Sequence, residues 1–484
     1  MDVGLQKWNA ARRAGAAGRL RWTRTVSAVV QRTQRGHARA YSLGMAPAVS
    51  DALGHGARAA PAVCRGRGRP AFDLGAGVLV SGHAVGFAAV RPARLAGADV
   101  KRVMLVFGTR PEVIKLAPLV HAYRARASEV ALTLCATGQH RQMLDSTLAA
   151  FDMRADIDLN LMRGGQDSSE FLGRLILALR PVMNEVRPDI VCVQGDTATV
   201  MGAALTAFLC GAQVAHVEAG LRTRDKRAPF PEEVNRRVAG VVADLHFAPT
   251  ARARDNLLHE GVDPATVFLT GNTVVDALRW MQARVAGQLL PPELDPGDRR
   301  LVLVTAHRRE SFGEPFRELC LALRQIAERF EDICLVYPVH LNPNVQRPVQ
   351  EILHGCPRVR LVPPQDYATF VALLSRAHLV LTDSGGIQEE APALGKPVLV
   401  MRDKTERPEA IAAGVVKLVG TQRARIVEEA ARLLADDAAY AAMARVVNTY
   451  GDGRAAQRIV EVTIDRRMST PPFQDQDGPP EDPA

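Results

Sequence analysis

The feature that most constrains this 484-residue chain is an alternation that begins abruptly at Lys101: short apolar runs, each followed by a stretch with helical spacing. Arg102–Phe107 comes first, and Gly108-Thr109-Arg110-Pro111 then turns into a helix-like Glu112–Arg126. Ala131–Thr137, Ile190–Gln194, Gln213–Glu218, Leu245–Ala248 and Val267–Thr270 continue the series. Runs that are apolar on both faces need cover on both faces, which β-α-β units on a parallel sheet provide. A polar, proline-bearing stretch at Leu289–Arg300 reads as a linker. A second series follows it: Leu301–Thr305, Ile333–Pro338, Val359–Val362, Leu379–Thr382, Pro397–Met401 and Val415–Val419. The expected fold class is α/β, as two doubly wound halves with a ligand cleft between them at the carboxyl ends of the strands.

Charge is distributed as unevenly as the periodicity. The net charge of +9 suggests a nucleic-acid partner until it is located. Residues 1–100 hold 15 Lys and Arg against 4 Asp and Glu, which leaves 46 basic and 48 acidic residues in 101–484. The body is near neutral and only 5% of residues are aromatic, so no nucleic-acid partner is expected. The basic stretch, rich in Ala, Gly and Arg, keeps no sustained period. Its most apolar part, Val78–Val90, is interrupted by Ser81, Gly82 and His83, which suits neither a membrane span nor a signal core. Serine is too scarce for an organelle transit peptide. The expectation is that 1–100 is an unstructured extension or an artefact of gene annotation, with translation starting near Val100 or Met104. No apolar run approaches the roughly 18 residues that cross a bilayer, so no membrane partner is expected.

The cysteines are Cys64, Cys135, Cys192, Cys210, Cys320, Cys334 and Cys356, an odd set without C-x-x-C. Most lie in apolar runs and read as buried thiols in a reducing, cytoplasmic compartment. The tail Ser469–Ala484, rich in Pro, Asp and Gln, is expected to be disordered.

The sharpest candidate site lies in the second half. After the strand Leu379–Thr382, Asp383-Ser384-Gly385-Gly386 forms a tight turn into a helix beginning at Ile387. Small residues there let backbone N–H groups approach an anion, which suits a diphosphate. Glu389 and Glu390 fall in the first turn of that helix, where favourable interaction with the helix dipole is their plain structural role. Arg407, in Thr405-Glu406-Arg407-Pro408-Glu409, can add a cation to the same phosphates. In the first half, Arg110 and Lys115 sit at a helix start, where their charge opposes the dipole and calls for an anionic partner at the cleft mouth.

Three carboxylates occupy loops after strands: Asp196 in QGDT, Glu218 in HVEAG and Glu232 in PFPEE. A carboxylate ending an apolar strand is costly unless paired or used. Taken singly, Asp196 reads as a helix N-cap and Glu232 as helix N-terminal charge behind Pro231. Three in one half, beside the cleft, point to catalysis. His307 ends another strand ahead of Arg308 and Arg309, and His340 has a similar setting. Absent from 101–484 are a G-x-G-x-x-G after a strand, a P-loop, H-E-x-x-H and any Cys/His cluster. Neither NAD nor a metal is therefore expected.

Taken together, these strings resemble the non-hydrolysing, bacterial-type UDP-N-acetylglucosamine 2-epimerases from about Lys101 to Arg467. The resemblance is carried by FGTRPEVIK (Phe107–Lys115), GQHR (Gly138–Arg141), QGDT (Gln194–Thr197), HVEAGLRT (His216–Thr223) and PEEVNR (Pro231–Arg236). It continues through GNTVVDA (Gly271–Ala277), HRRESFG (His307–Gly313), YPVHLNPNV (Tyr337–Val345), DSGGIQEEAPALGK (Asp383–Lys396) and TERPEA (Thr405–Ala410). The resemblance implies two Rossmann-like domains of glycosyltransferase-B type. They would span 101–275, joined by a C-terminal helix near 453–467, and 276–452, the latter holding UDP. It implies a cytoplasmic homodimer that interconverts UDP-N-acetylglucosamine and UDP-N-acetylmannosamine by eliminating and re-adding UDP through 2-acetamidoglucal.

The site residues it implies are Arg110, Lys115, Asp196, Glu218, Glu232 and His307 for catalysis. For UDP they are Gln365, Phe370, Ser384, Gly385, Gly386, Glu390 and Arg407. A second UDP-N-acetylglucosamine would act as allosteric activator near Gln142, Gln166 and His340. Which of Asp196, Glu218 and Glu232 is the base stays open. The competing readings are a hydrolysing 2-epimerase, a transferase on the same scaffold and a non-catalytic UDP-sugar sensor.

Overall fold

A computed structural model describes residues 100–138, 141–162 and 167–474, without the side chains of 141–143. The basic extension, the side chain of Gln142, Gln166 and residues 475–484 thus lie outside what is described.

The alternation folds as two all-parallel sheets. The first has seven strands in the order β3-β2-β1-β4-β5-β6-β7 and the second six, in the order β10-β9-β8-β11-β12-β13. In sequence order the first comprises β1 Lys101–Phe107, β2 Val130–Ala136, β3 Ile157–Asp158, β4 Ile190–Gln194, β5 Gln213–Val217, β6 Leu245–Ala248 and β7 Val267–Leu269. The second comprises β8 Arg300–Thr305, β9 Ile333–Pro338, β10 Val359–Val362, β11 Leu379–Thr382, β12 Val398–Val400 and β13 Val416–Leu418. Each expected apolar run holds a strand within a residue or so of its bounds. The edge pair β3 was not anticipated, being two residues with one acidic member.

Residue alternation along β1 explains why both faces are covered. Val103, Leu105 and Phe107 join a core with helix Arg110–Arg124, while Met104 and Val106 join another with helices Ser168–Val186 and Ala198–Leu209. In β8, Val302 and Val304 face helix Glu314–Arg329, and Leu301 and Leu303 face the side of Leu373, Leu374 and Ile387. Period-two side chains on a central strand demand this arrangement.

Helix Thr273–Val285 sits between the sheets. Ala277, Leu278 and Met281 belong to the core of the first, and Val274 and Val275 to a core of the second. Tyr367 and Val371, on helix Tyr367–Arg376, enter the first core too, with the Tyr367 ring stacked on Phe151 at 5.5 Å between centroids. Helix Ala455–Asp465 returns to the first sheet, where Thr463 Oγ1 lies 2.8 Å from Tyr123 Oη.

Three expectations need correction. The Leu289–Arg300 stretch is not merely a linker, because Leu290 and Leu294 are buried in a core of the second sheet. The tail is not disordered from Ser469. Its first residues are held by Glu461, which accepts from the Ser469 and Thr470 amides, and by Phe473, which is buried and donates its amide to Leu269 O. Among the cysteines, Cys210 is exposed, at the C-cap of helix Ala198–Leu209, and Cys356 is only half-buried. No described helix is long and apolar enough to cross a membrane.

Candidate functional site between the two sheets

The segments that follow β1 and β5 meet those that follow β11 and β12 in a cluster of buried ion pairs. After β1 the chain must turn sharply at Gly108. A Cβ there would lie 2.3 Å from Thr137 Oγ1, so only glycine fits. Thr109 caps the helix, and Glu112 closes a reciprocal capping box. The Glu112 carboxylate accepts from Gly108 N (2.9 Å), Thr109 N (2.6 Å), Thr109 Oγ1 (2.7 Å) and Thr197 Oγ1 (2.7 Å). It ties the loop after β1 to the loop after β4.

One turn further on, Lys115 is buried rather than at the cleft mouth. The anion it needs is internal: its ammonium donates to Glu218 and lies 3.5 Å from Glu389 Oε2. Glu218 follows β5 with φ of +65°, a left-handed conformation that a non-glycine residue adopts at a cost of about 1–3 kcal/mol. In that conformation its Oε2 also accepts from Gln194 Nε2 at 2.6 Å.

The second half contributes the other side of the cluster. Arg407 donates from Nε to Glu389, from Nη1 to Glu406, and from Nη2 to Glu218 at 3.4 Å. Its guanidinium lies under the Ser384–Gly386 turn: a Cβ on Gly385 would come within 2.7 Å of Arg407 Nη1. Gln388 braces the same turn, donating to Ser384 O (3.2 Å) and accepting from Thr405 Oγ1 (2.8 Å). Asn272, which caps helix Thr273–Val285, donates to Glu389 Oε2 at 3.0 Å.

Glu218, Glu389, Glu390 and Glu406 share this cluster with Lys115 and Arg407, and protons are held accordingly. Burial, reinforced by Glu389, pushes the Glu218 carboxyl up despite Lys115 and Arg407. Burial works against the Lys115 ammonium, but Glu218 and Glu389 raise it overall. Glu390, buried and accepting from Tyr367 Oη at 2.7 Å, is pushed by burial up to about 7. Glu406 moves the other way: burial opposes its charge, but Arg407, Arg402 and Arg236 hold it well below the carboxylate range.

The remaining candidates surround this core. Arg110 Nη1 donates to Gln365 O at 2.8 Å, joining one half to the other. Asp196 is not the N-cap of the following helix, a role Thr197 takes; it pairs with Arg236 at 2.7 Å. Glu232 begins helix Glu232–Val242, and its Oε2 is buried without a hydrogen-bond partner. The His307 imidazole stacks on His340 at 5.3 Å, beside Asp383. Phe370 is half-buried against a core of the second sheet. No group of three metal-ligating side chains occurs among the described residues.

Sequence reasoning missed several members of this arrangement. Glu112 was visible as the fourth residue of Thr-x-x-Glu, a capping-box signature. Gln194 was visible as a polar residue ending an apolar strand. Glu389 was weighed only for its helix dipole, because two of its partners, Lys115 and Asn272, are far away in sequence and the third, Arg407, lies beyond the next strand. Arg236 and Asp383 carried no local signal beyond their charge.

The arrangement offers an anion a glycine turn over a guanidinium, and sets beside it the buried carboxyls Glu218 and Glu390, both pushed up by burial. Comparison with known proteins agrees. Residues 122–463 match the family described as UDP-N-acetylglucosamine 2-epimerase. The UDP-N-acetylglucosamine 2-epimerase of Escherichia coli (strain K12) is 52% identical over 376 residues, covering 76% of this chain and 100% of the relative. A crystal structure of a putative UDP-N-acetylglucosamine 2-epimerase from Listeria monocytogenes superposes with a TM-score of 0.74 at 47% identity, over 78% of this chain and 99% of that one. The UDP-GlcNAc 2-epimerase from Neisseria meningitidis, solved bound to UDP-GlcNAc, gives 0.73 at 43% identity, over 75% and 100%. The two parallel-sheet domains are of the glycosyltransferase-B type that these structures share. With a match of this length and relatives covered nearly end to end, the chain belongs to the UDP-N-acetylglucosamine 2-epimerase family.

Proposed function

We propose that this enzyme binds UDP-N-acetylglucosamine between its two sheets and converts it reversibly to UDP-N-acetylmannosamine, retaining UDP through a 2-acetamidoglucal intermediate. One observation carries the reading. Arg407, beneath the glycine turn suited to a diphosphate, also touches Glu218 from the other domain at 3.4 Å. A group that holds the leaving group thus adjoins one that can act on the sugar. The names of the relatives support the substrate, as does the Neisseria meningitidis structure bound to UDP-GlcNAc.

The chemistry follows from the substrate. Its C2 proton is not next to a carbonyl, so a carboxylate cannot remove it directly. Breaking the C1–O bond first builds positive charge at C1 and acidifies that proton. UDP departs with the bonding electron pair, the proton goes to a base, and a C1–C2 double bond forms. Return of the phosphate oxygen to C1, with a proton delivered to the opposite face of C2, gives the epimer. Every electron pair stays within sugar and UDP, so no hydride acceptor enters the scheme.

The Ser384 hydroxyl, the backbone amides of Gly385 and Gly386 and the Arg407 guanidinium stabilise charge on the departing diphosphate, the Ser384 amide being donated to Thr382 Oγ1 at 2.9 Å. Gln365, Phe370 and Glu390 complete the proposed UDP contacts. Proton transfer is assigned to Asp196, Glu218, Glu232 and His307 as a group, with Arg110 and Lys115 as supporting cations. Glu232 differs from the other two carboxylates in having no ion pair recorded among the described residues, whereas Asp196 is tied to Arg236 and Glu218 to Lys115.

Incubation with UDP-N-acetylglucosamine in D2O, followed by NMR of the nucleotide sugar, tests the reading. Deuterium at C2 of a UDP-linked sugar is expected. Free N-acetylmannosamine with UDP would make the enzyme a hydrolysing relative. Binding without exchange would make it a sensor, and turnover only with an added acceptor a transferase.

A further inference from the structure

We propose that Asp383 is a positioning residue for His307: one carboxylate oxygen holds the backbone at His307 and Arg308, and the other keeps the imidazole protonated at Nδ1. The inference rests on reading the cleft as a UDP-sugar site and deepens it.

Asp383 follows β11 directly, ahead of the Ser384–Gly386 turn, and its side chain is fully buried. Oδ2 accepts from the amides of His307 (2.7 Å) and Arg308 (2.8 Å). The Asp383 amide donates to Thr305 O at 3.0 Å, so the ends of β8 and β11 are locked together. Those contacts account for one oxygen. The other, Oδ1, is buried with no hydrogen bond, and His307 Nδ1 lies 3.7 Å away. A buried carboxylate oxygen without a donor is costly, and the imidazole is a donor within reach. Shortening that gap by roughly 0.8 Å makes an ordinary N–H···O bond.

The surroundings favour a neutral ring held in one tautomer. His340 stacks on it with 15° between the ring planes, and the Asn342 amide donates to His340 Nδ1 at 3.1 Å, which requires that nitrogen to be unprotonated. Burial, Arg308 and His340 lower the His307 imidazole below its ordinary value, while Asp383 raises it. A carboxylate only accepts, so a neutral imidazole facing it must carry its proton on Nδ1. Nε2 then holds the lone pair and is the nitrogen left to exchange a proton with substrate. A residue that also anchors the strand end before the diphosphate turn would set the position of His307 relative to that turn.

Asp383→Asn separates this role from a purely structural one. Its amide oxygen can keep both backbone contacts, but its NH2 then faces Nδ1 and forces the opposite tautomer. Histidine-15N NMR of the ligand-free enzyme, assigned with His307→Gln, reads the ring nitrogens directly. The expected wild-type form is Nδ1–H. The expected variant form is Nε2–H with a lower titration midpoint, and kcat about 100-fold lower while KM stays within about threefold. A wild-type ring protonated at Nε2 overturns the proposal. So does a variant with unchanged tautomer, whether its activity is intact or lost together with its melting temperature. If the variant does not fold, the wild-type spectrum alone decides. Failure of C2 deuterium exchange in the wild type would sink the epimerase reading and leave the NMR result to decide the positioning role.

Discussion

Replacing Glu390 by Gln should remove a loss of stability that the wild type suffers as pH rises. Glu390 is buried in helix Ile387–Ala393 and accepts from Tyr367 Oη at 2.7 Å. Burial first, then Glu389, pushes its carboxyl from 4.5 to about 7, against the Tyr367 hydrogen bond and the cations Lys115 and Arg110. The folded protein therefore holds this proton more tightly than the unfolded chain. The stability that the proton contributes is complete below about pH 4.5 and is lost as pH rises through about 7. Over that span, about 1.4 kcal/mol per pH unit amounts to about 3 kcal/mol. Gln keeps an oxygen for Tyr367 and cannot ionise. The variant should match the wild type near pH 4.5 and exceed it by about 3 kcal/mol near pH 8.5. With an unfolding entropy of about 2.1 cal/mol/K per residue over roughly 370 ordered residues, that is a melting temperature about 4 °C higher. Scanning calorimetry at fixed scan rate, in steps from pH 4.5 to 8.5, measures it. A difference that stays flat with pH, or a variant that loses most at high pH, would refute the reasoning.

Lys115→Met should cost about 3–5 kcal/mol, because the buried Glu218 and Glu389 are left with Arg407 as the one cation they share. Adding Glu218→Gln should recover much of the loss in a double-mutant cycle read by thermal melting, and strict additivity would contradict the coupling. Gly220→Ala should cost about 3 kcal/mol or more, seen as lost soluble yield, since φ is +90° and the new Cβ would lie 2.0 Å from the Ala253 carbonyl oxygen. Gly385→Ala should lower kcat/KM for UDP-N-acetylglucosamine roughly 100-fold and lower the melting temperature as well, and activity within threefold of wild type would count against the proposed grip. That expectation follows from its Cβ meeting Arg407 Nη1 at 2.7 Å while three carboxylates pin the guanidinium.

The parts of the fold that were legible are those set by local periodicity. A strand covered on both faces must be apolar throughout, so β4 and β9 could be delimited to the residue from Ile190–Gln194 and Ile333–Pro338. The two-residue β3 has no room for a period, and its pairing with β2 depends on the neighbour rather than on its own sequence. Phe473 shows the opposite failure. A tail scored by its Pro, Asp and Gln content looks unstructured, yet one aromatic ring and one amide bond to Leu269 dock it. Composition averages over the single residue that decides.

The site divides along the same line. Side chains at strand ends, such as Glu218 and His307, break the apolar pattern and announce themselves. Their partners do not, because Lys115 lies 103 residues from Glu218, and Arg407 lies 189 residues from it. The distinction changes the chemistry expected of Arg407. Read alone, it is a free cation awaiting a phosphate. In the fold all three guanidinium nitrogens are engaged, by Glu389, Glu406 and Glu218. Three of its five N–H groups are thus committed, so a diphosphate reaching Arg407 takes one of the two left or displaces a carboxylate. Glu406 is held strongly ionised by its arginines, and Glu389 is fixed by Lys115 and Asn272 as well. Glu218 makes the longest of the three contacts, at 3.4 Å, and burial already favours its protonated form. Under the proposed function, a diphosphate that displaces a carboxylate from Arg407 displaces Glu218 first, and grip on the leaving group and freedom of a carboxyl beside the sugar then come from the same exchange of partners.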